Sequence, residues 1–167
     1  RKIIFNDLIE IIGLEKKIFD DSWSSKIIQN QIKNLEAINL AVIQDSRIIA
    51  YIFTRIYVDF IEIERVGVIK SERRNKVGEK LMKELENIAY VKKKRKITLE
   101  VAENNFSAIN FYKKLFYKKD GIRKKYYKFD NQNALLMSKE LNWTLISSMN
   151  LFKGMGHLTN STIFSYC

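Results

Sequence analysis

The residues able to do chemistry here are few, and elimination finds them first. The only histidine, His157, and the only cysteine, Cys167, both fall in the last stretch of the chain. A Ser-His-Asp or Cys-His arrangement is therefore disfavoured, as is a histidine-ligated metal site, and no metal is expected. A proton acceptor, if the chain is an enzyme, is then a carboxylate, a tyrosine or a lysine. The segment Thr98-Leu99-Glu100-Val101-Ala102-Glu103-Asn104-Asn105-Phe106-Ser107-Ala108-Ile109-Asn110-Phe111-Tyr112 contains two such groups. Glu100 lies between apolar Leu99 and Val101 on an expected strand, where partial desolvation favours taking up a proton. Tyr112 lies in the second half of the helix expected next. The ordinary alternatives are a water-facing strand residue for Glu100 and a core aromatic for Tyr112.

A second stretch has chemistry of another kind. Residues 60–69 are apolar and β-branched, as in a buried strand, and a basic turn follows, Ser71-Glu72-Arg73-Arg74-Asn75-Lys76. Val77, Leu81, Leu85 and Ile88 then recur at helical spacing. The amides of a helix N-terminus lack intrahelical partners and the dipole there is positive, so strand, cationic turn and helix start suit a phosphate. Basic residues before a helix are also common without any ligand.

The elements that must hold these groups can be read along the chain. Residues 1–5 resemble the end of a truncated strand, and Asn6 is a suitable cap for a helix over 7–19. The sequence Asp20-Asp21-Ser22-Trp23-Ser24 breaks that pattern, and a short helix is expected over 25–33. Residues 37–43 and 47–58 read as a hairpin around Asp45-Ser46. After the strand–turn–helix of 60–89, the run Val91 to Lys96 is a solvated connection rather than a binding patch. A strand over 97–102, a helix capped by Asn104 or Asn105 and strands over 117–127 and 134–139 complete the pattern. A hairpin meander joined to a β–α–β crossover gives an α/β (α+β) fold, a mixed, mostly antiparallel sheet with helices on both faces.

With 167 residues, 46% hydrophobic and 29% charged, the chain is expected to be one soluble domain over residues 1–141. Residues 142–167, with Lys153 as their only charged side chain, show no periodicity and are expected to form an extension. No apolar run approaches a membrane span, no signal-peptide pattern stands at the N-terminus, and one cysteine fits a reducing compartment. A cytoplasmic protein without membrane contact is expected. The net charge of +11 and isoelectric point of about 9.6 imply attraction to polyanions. An AT-rich genome, which favours Lys, Ile and Asn, accounts for them equally well.

Four motifs carry a family resemblance. Arg73-Arg74-Asn75-Lys76-Val77-Gly78 resembles the pyrophosphate loop Q/R-x-x-G-x-G/A of the GNAT superfamily of N-acetyltransferases, with Lys76 where the first glycine stands. The pattern L-E-V-x-x-x-N-x-x-A-I-x-x-Y, ending at Tyr112, resembles the ribosomal-protein-alanine N-acetyltransferases (the RimI type) within it. The stretches Phe19 to Ser24 and Gly121 to Tyr127 are similar to that type's F-x-x-x-W-[ST] loop and R-x-x-Y-Y ending. Phe116 replaces a glycine, and Gln132-Asn133-Ala134 replaces E-D-A. A left-handed lysine at position 76 costs about 1–2 kcal/mol, which its ammonium can offset.

The resemblance implies acetyl transfer from acetyl-CoA to the N-terminal amine of a protein, a ribosomal one by type. It places Val66, Gly67 and Val68 along the pantetheine, and Arg74, Asn75, Lys76, Val77, Gly78 and Glu79 around the pyrophosphate, with Asn105 beyond. It makes Glu100 the base and Tyr112 the acid, with Glu62 or Glu64 as a fallback base, and puts Trp23, Tyr126 and Tyr127 along the peptide groove. A monomer or weak dimer is expected, and direct nucleic-acid binding is not. The rivals are acetylation of a lysine side chain or small amine, and a non-catalytic basic RNA- or ribosome-binding protein on the same scaffold.

Overall fold

The computed structural model describes residues 1–127 and 132–141; the expected extension over 142–167, with His157 and Cys167, lies outside them. Two helices come first, α1 (Leu8–Ile18) and α2 (Ser25–Lys33), followed by strands β1 (Leu40–Gln44), β2 (Arg47–Ile56) and β3 (Phe60–Val68). Then come α3 (Val77–Val91), β4 (Lys96–Ala102), α4 (Phe106–Lys114), β5 (Lys118–Tyr127) and β6 (Gln132–Glu140). The sheet has the order β1-β2-β3-β4-β6-β5. Only β3 and β4 run parallel, across the α3 crossover.

Alternation along the strands sends side chains to two cores. Ile61, Ile63, Ile97 and Leu99 pack with Leu81, Met82 and Leu85 of α3 and with Ile109 and Tyr112 of α4. Tyr51 and Phe53 project to the other face, against Ile11 and Leu14 of α1 and Ile28 of α2. Helices thus cover both faces, as the mixed pattern of elements predicts. Asp45 and Ser46 take φ of 49° and 61° between β1 and β2, the geometry of a two-residue turn matched to strand twist.

The N-terminus differs from expectation. Residues 1–5 form a single bridge, Lys2 with Leu40, and a 3-10 turn over Phe5–Asp7 precedes α1. Asn6 caps nothing. The carboxylate of Asp7 accepts the Ile4 N–H at 2.8 Å and is held by Arg1 at 2.7 Å, so the acid one position later organises the helix entry. That pairing, chiefly the hydrogen bond from Arg1, lowers the Asp7 pKa.

Two non-glycine residues stand where the family pattern has glycine, and both are left-handed. Lys76 has φ 60° and Phe116 has φ 68°, and Phe116 is 79% exposed. Left-handed backbone disfavours a Cβ, while glycine adds freedom to the unfolded chain, so the two effects partly cancel. Phe116→Gly is expected to stabilise the fold by about 0.5–1 kcal/mol, roughly 1–4 °C for a domain of this size. Thermal unfolding of the two chains checks this.

Candidate active site

A β-bulge opens the site. The pairing of β2 with β3 slips between Phe53↔Arg65 and Thr54↔Ile63, leaving Glu64 as the extra residue. Bulges raise local twist and bend the strand that contains them. Past this point β3 leaves β4: pairing runs from Phe60↔Lys96 to Ile63↔Leu99 and stops. Glu100 to Ala102 continue only with β6. Gln31 of α2 supports the bulge, donating to the Thr54 carbonyl at 2.9 Å and to Glu64 Oε2 at 2.5 Å. The chain signals this slip: the core positions run 61, 63, 66 and 68, so the period of two skips one residue between Ile63 and Val66.

Where the strands part there is a cleft of about 880 Å³. Val66, Glu100, Asn105 and Tyr112 line it, as do Glu64 and Gln132. The structure therefore brings Glu100 and Tyr112 to one cavity from β4 and α4. Glu100 faces away from the α3 core, its side chain 17% exposed, with Arg123 Nη1 3.0 Å from Oε1. Tyr126 on β5 hydrogen-bonds the same carboxylate; burial first, and then the Glu100 charge, raise its pKa, so it stays a neutral donor at ordinary pH. Glu64 is tied by Arg55 at 2.9 Å as well as by Gln31. Glu62 accepts from the Tyr57 hydroxyl at 3.0 Å and does not line the cleft.

The remaining wall comes from the loop after α1. Phe19, Asp20 and Asp21 line the cleft. Trp23, expected there, is turned away and stacks on Phe53 with centroids 5.8 Å apart. What fixes this loop is Arg65, which the sequence reading missed. Its guanidinium lies over the Phe19 ring at 3.7 Å, pairs with fully buried Glu15 at 2.7 Å and reaches Asp21 Oδ1 at 3.0 Å. Glu15 also accepts from the Trp23 N–H at 2.9 Å and from the Tyr51 hydroxyl. Burial, then the Glu15 bond, raise the Tyr51 pKa. The only hint in the chain was the bulge itself, which puts Arg65 on the same face as Glu64. For Tyr127 the structure describes only the backbone, paired with Gln132.

The turn before α3 fits the pyrophosphate of a coenzyme. Lys76 is the N-cap and no side chain caps the helix, so its first-turn N–H groups remain for a ligand. Arg74 and Lys76, both left-handed and exposed, belong to the turn that leads into those amides. Arg73 instead braces the strand end, donating from Nε to the Val68 carbonyl at 3.1 Å. Val77 is a core residue, leaving only its backbone for binding, and Glu79 is exposed. Asn75 bonds Glu72 at 3.3 Å, and Asn105 caps α4 through the Ala108 N–H at 3.1 Å. Neighbours crowd both glycines, Gly67 the more severely. A Cβ on Gly67 would lie 2.7 Å from the Tyr51 ring, and one on Gly78 would lie 3.2 Å from Phe111. Gly67 and Val68 do not themselves line the cleft.

Comparison with known proteins identifies the fold and the family. Residues 6–116 match the model of the acetyltransferase (GNAT) family. A Bacillus subtilis protein named "Putative ribosomal protein bS18-alanine N-acetyltransferase" is 26% identical over 85% of this chain and 95% of its own length. An N-alpha-acetyltransferase of Sulfurisphaera tokodaii is 25% identical over 84% of this chain and 92% of its own. The crystal structure of the Escherichia coli ribosomal-protein-S18-alanine N-acetyltransferase superposes with a TM-score of 0.79 at 21% identity, covering 85% of this chain and 92% of that one. The chain belongs to the acetyltransferase (GNAT) family, whose members take their acetyl group from acetyl-CoA.

Proposed function

We propose that this acetyltransferase modifies the N-terminal α-amine of a protein, with a ribosomal protein as the first candidate. The observation that carries the reading is the shared cleft: Glu100 and Tyr112 line it together where β3 and β4 part. Acetyl-CoA supplies the acetyl group as an activated thioester. Glu100 accepts the proton of the incoming ammonium, an easy task because an α-amine has a reference pKa near 8. Tyr112 holds a proton at its hydroxyl for the departing sulfur. Free backbone groups of β3 around Val66, unpaired with β4, orient the carbonyl. Asp20, Asp21, Glu64 and Gln132 surround the entering peptide, with Tyr126 from β5 beyond them. The names of the Bacillus and Sulfurisphaera relatives support a protein α-amine as acceptor, and the former supports the ribosomal target.

The test has two parts. Acetyl-CoA at one hundred times its dissociation constant is expected to stabilise the fold by about 2.7 kcal/mol. Peptides with free N-termini are expected to be acetylated and the same peptides with blocked N-termini, lysines intact, to be left alone. Mass-spectrometric mapping of acetyl groups to lysine would replace this reading with side-chain acetylation.

A further inference from the structure

The charge of this chain is unevenly placed. Residues 1–69 contain nine basic and ten acidic side chains, while residues 70–127 contain eighteen and seven. A lysine-rich composition by itself would raise both parts alike, so the excess belongs to particular surfaces. One is the turn before α3, already described. The larger one is at the other end of the sheet. The cleft opens at the C-terminal ends of β3 and β4, whereas Lys96 at the start of β4 pairs with Glu140 and Lys118 at the start of β5 pairs with Ser138. The corner between α4 and β5 therefore lies toward the starting ends of β4 and β5, away from the mouth of the cleft, on the same side of the sheet's length as the α3–β4 connection with its exposed Lys92, Lys93 and Arg95.

That corner has a particular chemistry. Lys113, Lys114, Lys118 and Lys119 are all exposed, and none takes part in an ion pair among the described residues. No acidic residue occurs between Asn104 and Lys119. Between the two lysine pairs in the chain is Phe116, 79% exposed and left-handed, a large apolar ring on a backbone that favours glycine. Lysines around an aromatic face suit a strand whose phosphates are charged and whose bases are unstacked. A duplex hides its base faces, and a lipid headgroup surface offers none.

We propose that the α4–β5 corner binds single-stranded RNA, with phosphates on the four lysines and a base stacked on Phe116. RNA rather than DNA is the strand because a ribosomal acceptor protein is handled beside RNA; that choice rests on the function proposed above. Docking at the far end of the sheet leaves the cleft open to the peptide.

The test uses the full chain and a labelled, unstructured RNA of 12 nucleotides, with affinity read by fluorescence anisotropy at several salt concentrations. Four phosphate contacts predict a slope of log affinity on log salt near −2.8, at about 0.7 per contact for a single strand. Lys118→Gln with Lys119→Gln is expected to flatten the slope by about 1.4. Phe116→Gly is expected to weaken binding about 5- to 140-fold, the loss of one base stack, while its melting temperature rises. That opposition separates lost stacking from a damaged fold. Weaker binding to DNA of the same sequence, to duplex RNA and to vesicles containing phosphatidylserine supports the proposal. Equal or tighter binding to any of these overturns it, as does RNA affinity indifferent to salt or to Phe116→Gly. RNA binding is read without peptide and peptide acetylation without RNA, so each reading fails on its own measurement.

Discussion

Glu100→Gln is expected to lower the rate of peptide acetylation by about 10²- to 10⁴-fold at neutral pH, the usual range for losing a general base. Glutamine keeps the shape and can still meet Arg123, which sits 3.0 Å from the carboxylate, and the Tyr126 hydroxyl. What disappears is the capacity to take a proton. The defect is expected to shrink as pH rises from 6 to about 9, because the substrate amine, with reference pKa near 8, then arrives neutral. Tyr112→Phe should behave differently. Its ring stays packed in the core against Phe111, and what is lost is the proton for a leaving thiol of reference pKa near 8.5, so its defect follows the thiol rather than the amine and is expected to be largest at low pH. The measurement is the pH–rate profile of both variants on one peptide, with acetyl-CoA binding followed by thermal shift. Wild-type activity of Glu100→Gln across that range would move the role to Glu64, which lines the same cleft.

The largest effect on stability is expected at Arg65. Its guanidinium is the cation beside Glu15, whose side chain is fully buried. Arg65→Met keeps an unbranched apolar stem but removes the guanidinium from the Phe19 and Trp23 rings and strands that carboxylate, and an uncompensated buried charge costs about 3–5 kcal/mol. For a domain of this size the melting temperature falls by roughly 6–20 °C. Exposed Asp21 loses a partner as well, but this adds little, since water solvates it. Adding Glu15→Gln to Arg65→Met removes the stranded charge, keeps an acceptor oxygen for the Trp23 N–H and turns an amide N–H toward the Tyr51 hydroxyl, which can accept it. The double variant is therefore expected to regain most of the loss. A double variant no more stable than Arg65→Met would show that packing rather than charge sets the cost. Because Phe19 and Asp21 line the cleft, the single variant should also weaken peptide binding, read as a raised KM.

The elements themselves were legible in the chain because each rests on local physics. The apolar spacing of Val77, Leu81 and Leu85 specifies α3 whatever surrounds it, and Ser24 and Asn105 cap α2 and α4 through bonds to amides three residues on. Positions 76 and 116 were legible in another sense. A glycine in the family pattern points to a left-handed backbone, and the backbone remains left-handed here beneath Lys76 and Phe116. The N-terminus was misread because Asn6 and Asp7 are both fair caps, and only the Asp7 pairing with Arg1 across the turn decides between them.

Tertiary structure decided what the sequence left undetermined. Trp23 and Phe19 share one loop and both are aromatic; the Arg65 guanidinium, arriving from a strand far along the chain, turns Phe19 toward the cleft and Trp23 onto Phe53. Glu62 and Glu100 are alike in local sequence, each between two apolar neighbours, and Glu64 follows an apolar residue on the same strand as Glu62. The bulge at Glu64 separates β3 from β4 and so admits Glu64 and Glu100 to the cleft while Glu62 stays outside it. Charge followed the same division. Its total was fixed by composition, but only the register of β4, β5 and β6 brings the α3–β4 connection and the α4–β5 corner to one end of the sheet. Local periodicity fixes which segments become helices and strands; contacts between residues distant in sequence fix which side chains meet.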